Sequence, residues 1–206
     1  MPVMITDRKL PPHFLESLEE LERSYLSQSD PIFQSGFSGG EQRWREGREP
    51  ILRAVDGDGD FLDVGCANGF LLECLMKWAL ERGVHLTPFG VDAGAGLIEL
   101  AGKRFPDLRG NFHVANAWDW QPPRRFQYVY TLYDCVPVDF LEEYVQRLSA
   151  RYVDDGGRLI VGAYGSRSKN VPPFDIEGFL KSMGITIEGK TTGGIPPVSS
   201  FVWIEP

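Results

Sequence analysis

Five short apolar runs, at Asp60–Val64, Leu86–Val91, Phe112–Ala115, Phe126–Leu132 and Arg158–Ala163, alternate with helical patterns and restrict this chain to few architectures. The intervening helices read as Phe70–Arg82, Gly96–Arg104 and Val138–Arg151. Strands that are apolar at nearly every residue are covered on both faces, and strands separated by helices run parallel. The end of the chain departs from this alternation. After a helix over Asp175–Met183, two runs at Ile185–Lys190 and Ser199–Glu205 follow with no helix between them. A parallel return needs a crossover of a dozen or more residues, so this pair is expected to be antiparallel. The expected fold class is α/β: a seven-stranded, mostly parallel sheet with a C-terminal antiparallel strand pair, helices on both faces and an N-terminal helical extension. Asp154-Asp-Gly-Gly157 is expected to stop the helix before the fifth strand.

The N-terminal extension has its own pattern. Phe14, Leu15, Leu18, Leu21, Tyr25 and Leu26 recur at helical spacing over His13–Leu26, with Glu16, Glu19, Glu20 and Glu22 between them, which predicts an amphipathic helix. Ser27–Gly40 reads as a loop that Gly36, Gly39 and Gly40 leave free to move. A second helix is expected over Glu41–Val55, ended by Asp56-Gly-Asp-Gly59. Residues 1–55 thus read as a helical extension and lid within the same domain as residues 56–206, which carry the ligand site.

Ligands of open parallel sheets bind beyond the carboxyl ends of the strands, where strand order reverses. The stretch from Phe61 to Glu73 supplies such a place: an apolar strand with an acid at Asp63, a turn of small residues at Gly65, Ala67 and Gly69, then a helix. A dinucleotide fingerprint needs a small residue at the sixth position from Gly65, and that position is Phe70. A carboxylate at Asp63 would repel a pyrophosphate and attract an ammonium or sulfonium. Asp92, which closes the second strand, is placed to accept bonds from vicinal ribose hydroxyls. The two acids point to a ligand with a cationic end and a ribose.

Asp63-Val-Gly-Cys-Ala-Asn-Gly69 resembles the glycine-rich motif of the class I S-adenosylmethionine-dependent methyltransferases, with Ala67 in place of the middle glycine. Four further stretches follow in the order of that family: Gly90-Val-Asp92 with the helix through Leu97–Ala101, then Asn116-Ala117, Phe126-Gln-Tyr-Val129 and Gly156-Gly-Arg-Leu-Ile160. The resemblance runs from Asp56 to the C-terminus and implies a Rossmann-like sheet that binds S-adenosylmethionine. It implies that Asp63, Gly65 and Gly69 hold the methionine part, that Cys66 and Ala67 line it, and that Asp92 holds the ribose. It further implies that Ala93 lies against adenine, that Asn116 bonds the exocyclic amine, and that Ala117 and Trp118 stand nearby. Asn116 and Gln127 replace acids usual at their positions.

The second reactant is expected between the ends of the fourth and fifth strands and the N-terminal segment. Tyr133 and Asp134 are the catalytic candidates, Asp134 as a base where the acceptor must lose a proton. Phe37, Arg43, Trp44, Tyr130 and Tyr164 are the candidates for acceptor binding and closure. Their aromatic content favours a small, partly apolar acceptor, and the fourth strand lacks the Asn/Asp-Pro-Pro-Tyr/Phe motif of enzymes that methylate DNA bases or protein glutamine. The alternative is a relative that binds the nucleoside and transfers nothing, serving as a sensor or partner subunit.

Charge and composition narrow the partners. There are 21 Lys and Arg against 29 Asp and Glu, a net charge of -8, which disfavours a nucleic-acid partner. Cys66, Cys74 and Cys135 form no C-x-x-C pattern, and His13, His85 and His113 are far apart, so no metal site is expected. The first ten residues have no long apolar run after their charges, and no stretch approaches the roughly 20 apolar residues of a membrane span. A cytoplasmic protein is expected, with the oligomeric state open between monomer and homodimer.

Overall fold

The computed structural model describes residues 8–206, so the reading of residues 1–7 as free of a leader lies outside the described residues. Seven strands form one sheet in the order β3-β2-β1-β4-β5-β7-β6. They are β1 (Gly59–Val64), β2 (Leu86–Asp92), β3 (Phe112–Val114), β4 (Phe126–Leu132), β5 (Val153–Tyr164), β6 (Gly189–Gly193) and β7 (Ser199–Ile204). β1 to β5 are parallel, and β7 runs antiparallel to both β5 and β6. The chain leaves β1 toward β2 and β3, then returns to place β4 on the other side of β1. Strand order therefore reverses between β1 and β4, where a crevice opens at the carboxyl ends.

The helices are α1 (Pro12–Leu26), α2 (Glu41–Arg48), α3 (Phe70–Leu80), α4 (Ala95–Arg104), α5 (Leu141–Arg151) and α6 (Ile176–Ser182). They divide the core into two layers because strand side chains alternate between faces. Leu62, Val64, Val129 and Leu159 pack with Tyr144, Val145 and Leu148 of α5, whereas Phe61, Tyr128, Tyr130 and Ile160 pack with Leu72 and Leu75 of α3 and with Trp44 of α2. Among the described residues no helix is long and apolar enough to cross a membrane.

Three sequence expectations require correction. The helix expected over Glu41–Val55 stops at Arg48 and continues as a 3-10 turn over Glu49–Ala54. Pro50 has no amide hydrogen to donate along an α-helix, so the tighter turn replaces it. Asp154-Asp-Gly-Gly157 does not precede the fifth strand but lies inside β5. Val153 pairs with Phe126 and Arg158 with Tyr128, so four residues of β5 face one of β4. Gly156 accommodates this bulge at φ 74°, and its carbonyl accepts a bond from Gln127 Nε2 at 3.1 Å. The strand expected over Ile185–Lys190 is displaced to Gly189–Gly193. Ile185 and Ile187 are apolar because they pack on the α5 side of the core, not because they pair in the sheet. At this edge the pairing falls to polar residues, Lys190 to Thr192.

Candidate functional site

The turn after β1 is built by its backbone. Gly65 has φ 91° and Gly69 φ 72°, values open to glycine, and Ala67 adopts the left-handed region at φ 46°. A side chain at Gly65 would meet Cys135 Sγ at 2.8 Å, and one at Gly69 would meet Ala101 Cβ at 3.0 Å. The amides of Gly65 and Cys66 both donate to the Val91 carbonyl, at 2.8 and 3.1 Å. Asp92 completes the fastening: its Oδ2 accepts the Ala67 amide at 2.9 Å and its Oδ1 the Gly94 amide at 2.8 Å. One carboxylate thus fixes the turn after β1 and the entry to α4.

A cavity opens over this arrangement at the point where strand order reverses. Gly65 and Ala67 line it from the first turn, Asp92 and Ala93 from the end of β2, and Asn116 and Ala117 from the segment after β3. Leu132, Asp134 and Cys135 come from the end of β4. The opposite wall is α1, which presents Leu18, Leu21, Glu22 and Tyr25. These four recur at helical spacing on one face, yet no residue of α1 is fully buried. Glu22 also accepts the Gly96 amide at 2.8 Å and so ties α1 to the first turn of α4.

Several sequence candidates are not on that wall. Asp63 lies beneath it, fully enclosed, and Cys66 turns its thiol toward Gly90 and the α3 side of the core. Trp118 is buried with its ring edge-on to Phe140, its Nε1 donating to the Arg8 carbonyl at 2.8 Å and the Arg147 guanidinium 4.2 Å over its face. Asn116 Oδ1 accepts the Trp118 amide at 2.9 Å, which folds the segment after β3 into a tight turn. Tyr133 stacks on Phe174 with ring centroids 4.6 Å apart.

The acceptor candidates converge elsewhere. Phe37 meets Trp44 edge-on at 5.7 Å, and Tyr130 Oη lies 3.1 Å from Tyr164 Oη. Between these pairs stands Arg48, which the sequence reading did not select; Arg43 is exposed, 5.9 Å from the Phe37 ring. Arg48, Glu22, Tyr25, Asn68 and Cys135 are the residues of this region that sequence reasoning missed. For Glu22 and Tyr25 a signal was present, since both fall on the apolar face of α1. For Arg48 there was none, because nothing in its neighbourhood marks it from the other cations of α2.

The electrostatics are those of clustered acids in a desolvated place. Burial, with the Asp92 charge adding to it, pushes the Asp63 carboxyl up to about 8. Asp92 is raised by burial, an effect opposed by the Gly94 and Ala67 amides and increased by Glu22. Asp134 stands exposed at the cavity mouth with its carboxyl raised by the surrounding protein, opposed by its own amide; its contact with water tempers this. Burial holds the Cys135 thiol up to about 12, so it remains protonated. A cavity bordered by the carboxyls of Glu22, Asp92 and Asp134 favours a cation over a phosphate.

No family model and no curated relative matches the sequence. Solved structures do. The DhpI–SAM–HEP complex aligns over 98% of this chain and 100% of its own at 17% identity, with a TM-score of 0.65. The 1,6-didemethyltoxoflavin-N1-methyltransferase of Burkholderia thailandensis, solved with 1,6-didemethyltoxoflavin and S-adenosylhomocysteine, aligns over 97% of this chain and 92% of its own at 14% identity and a TM-score of 0.63. A SAM-dependent methyltransferase from Aquifex aeolicus aligns over 95% and 98% at 17% identity, with a TM-score of 0.56. Sheet order, the antiparallel β7 and these alignments agree: the chain has the fold of the class I S-adenosylmethionine-dependent methyltransferases.

Proposed function

We propose that the protein transfers the methyl group of S-adenosylmethionine to a small-molecule acceptor. The observation that carries this reading is that Gly65, Ala67, Asp92, Ala93, Asn116 and Ala117, drawn from three separate strand ends, share one cavity wall. The cavity suits the cofactor in chemistry. Its floor lacks side chains at Gly65, and its acids favour a positive charge. Asp92 keeps a second lone pair on each oxygen after accepting two backbone amides, enough for two ribose hydroxyls. Small residues at Ala93 and Ala117 leave room for a flat base.

In this reading Asp92 orients the ribose and Asn116 and Ala117 face the base, while the backbone at Gly65 and Ala67 bears the amino-acid end above Asp63. Bound S-adenosylmethionine supplies an electrophilic methyl group on sulfonium, ready for in-line displacement. The protein's contribution is alignment and the exclusion of water, which in well-oriented systems is worth roughly 7–11 kcal/mol. Residues 8–55 supply the cover, with α1 closing the cavity through Leu18, Leu21 and Tyr25. Asp134, at the mouth beside the end of β4, is the residue positioned to take a proton from the acceptor; its raised pKa makes it a better base than an ordinary carboxylate. A small-molecule acceptor is supported by the toxoflavin methyltransferase likeness and by the net charge of -8, which opposes a polyanion.

The test is calorimetric titration with S-adenosylmethionine and S-adenosylhomocysteine, followed by product detection on a panel of hydroxyl, amine and carboxylate acceptors. Binding of both nucleosides with transfer to one acceptor class is the expected result. Binding without product on any acceptor would move the protein to the non-catalytic alternative, and no binding would remove the proposal.

A further inference from the structure

Arg48, the last residue of α2, is 6% exposed and carries a guanidinium enclosed by aromatic rings. Its central carbon lies 3.7 Å from the centre of the Trp44 ring, 4.4 Å from Phe37 and 4.5 Å from Tyr164. The ring faces compensate part of the lost hydration. They provide no acceptor for five N–H donors, and Arg48 makes no hydrogen bond or ion pair among the described residues. Its neighbours do not share this condition. Arg45 binds Glu49 at 2.8 Å and Glu81 at 2.6 Å, and Arg82 binds Glu49 at 2.9 Å, so the acid next in sequence to Arg48 is already engaged by two other arginines. The other deeply buried arginine, Arg147, has Glu143 and the Trp118 carbonyl.

The sole fully enclosed side-chain nitrogen or oxygen without a partner, among the described residues, is Arg147 Nε. The Arg48 nitrogens, though unbonded, are therefore not sealed from solvent, and Phe37 and Tyr164 beside them are only half-buried. The guanidinium adjoins the carboxyl-terminal halves of β4 and β5, since Tyr130 and Tyr164 lie there and join their hydroxyls beside it. Tyr25, which lines the cavity under α1, lies within electrostatic reach of both Arg48 and Asp134. An unpaired buried cation in a protein of net charge -8 is costly unless a ligand completes it.

We propose that Arg48 anchors a carboxylate of the methyl acceptor, so that the acceptors of this protein are small organic anions carrying an aromatic or apolar body that the Phe37–Trp44–Tyr164 box accommodates. This inference rests on the methyltransferase reading. The planar fork of a guanidinium matches a carboxylate bidentately, and the aromatic walls exclude the water that would weaken the pair. The cofactor also has a carboxylate, on its amino-acid end. In the proposed binding mode that end lies over β1, whose Asp63 pairs with Tyr130 of β4, so both carboxylates come near Arg48 and the experiment must separate the two sources.

The experiment compares benzoate with benzamide, binding each to the protein saturated with S-adenosylhomocysteine, in the wild type and in Arg48→Met and Arg48→Lys. Benzoate should bind the wild type at least about tenfold more tightly than benzamide, a preference that Arg48→Met abolishes and Arg48→Lys retains in part. S-adenosylhomocysteine affinity should change less than about twofold in both variants. The wild-type comparison needs no variant, so a folding defect in Arg48→Met does not blunt it. Equal binding of the two probes, or none of either, overturns the proposal. A loss of S-adenosylhomocysteine affinity in Arg48→Met that spares methylthioadenosine, which has no carboxylate, also overturns it by assigning Arg48 to the cofactor. Failure of the wild type to bind S-adenosylhomocysteine is a failure of the methyltransferase reading and is recognised before any probe is added.

Discussion

The side-chain amide of Asn68 donates to the Pro31 carbonyl at 3.0 Å and fastens a loop 37 residues upstream to the turn that follows β1. The same nitrogen donates to Gln34 Oε1 at 3.1 Å, while Oδ1 accepts the Phe70 amide at 3.1 Å at the start of α3. Asn68 is wholly buried, so each of these groups depends on it. Asn68→Ala should cost about 1–3 kcal/mol of stability, because it leaves buried polar groups without partners. It should also free the cover: hydrogen exchange over residues 31–36 should quicken and S-adenosylmethionine should bind more weakly. Unaltered exchange in that loop would show that the cover is held by other contacts.

Asp63 makes the protein sensitive to pH in a definite direction. Its ordinary value is 3.8 and its folded value is about 8, so between these limits the folded state holds a proton that the unfolded state has released. Stability from this group therefore falls as pH rises from 3.8 to about 8 and is level above that. Asp63→Asn should flatten this slope in the ligand-free protein, as read by chemical denaturation at a series of pH values. A cation held near Asp63 favours its ionised form, so S-adenosylmethionine affinity should rise with pH up to about 8. Calorimetry in buffers of different ionisation enthalpy should detect proton release on binding at neutral pH; its absence in the wild type would separate Asp63 from the ligand.

Asp92 should matter twice, once for the loop and once for the ligand. Asp92→Ala frees the Ala67 and Gly94 amides and, if the carboxylate holds the ribose, weakens S-adenosylhomocysteine binding by about 1.5–3 kcal/mol. A ligand lacking the ribose 2′-hydroxyl distinguishes these effects. For that ligand the variant should lose less than for S-adenosylhomocysteine, because one of the two partners is already missing. Equal losses would leave Asp92 as a fastening for the loop alone.

The sheet was legible because its signal is periodic. Apolar runs at β1, β2 and β4 and the absence of a helix before β7 determine direction and pairing without reference to any distant residue. The cavity wall was legible where strand ends and tight turns build it, at Gly65, Ala67 and Asp92. The rest was not legible where a side chain's direction decides its role. Trp118 and Tyr133 occupy the expected places in the chain, yet their rings pack on Phe140 and Phe174. Arg48 was invisible for a related reason: its significance lies in the missing counter-charge, and a lack of partners in space leaves no trace in sequence. The displaced β6 shows the same limit, since Ile185 and Ile187 are apolar for packing on the α5 side of the core rather than for pairing.

Asp134 is placed to separate proton transfer from binding. It lines the cavity next to Leu132 and Cys135 at the end of β4, across from Asp92 and Asn116 at the ends of β2 and β3, and its environment raises its pKa. Asp134→Asn preserves shape and one acceptor oxygen but cannot take a proton. With an acceptor that must be deprotonated, turnover should fall about 10²–10⁴-fold, the usual range for general base catalysis, while S-adenosylhomocysteine affinity stays within about twofold. The pH profile carries the sign: wild-type kcat should rise as Asp134 ionises and level off above its pKa, and this limb should vanish in Asp134→Asn. An acceptor already nucleophilic without proton loss should react at nearly equal rates in both proteins, as alignment then supplies the catalysis. Loss of turnover with both acceptor types and unchanged pH dependence would make Asp134 a positioning residue for the segment before Pro137 rather than a base.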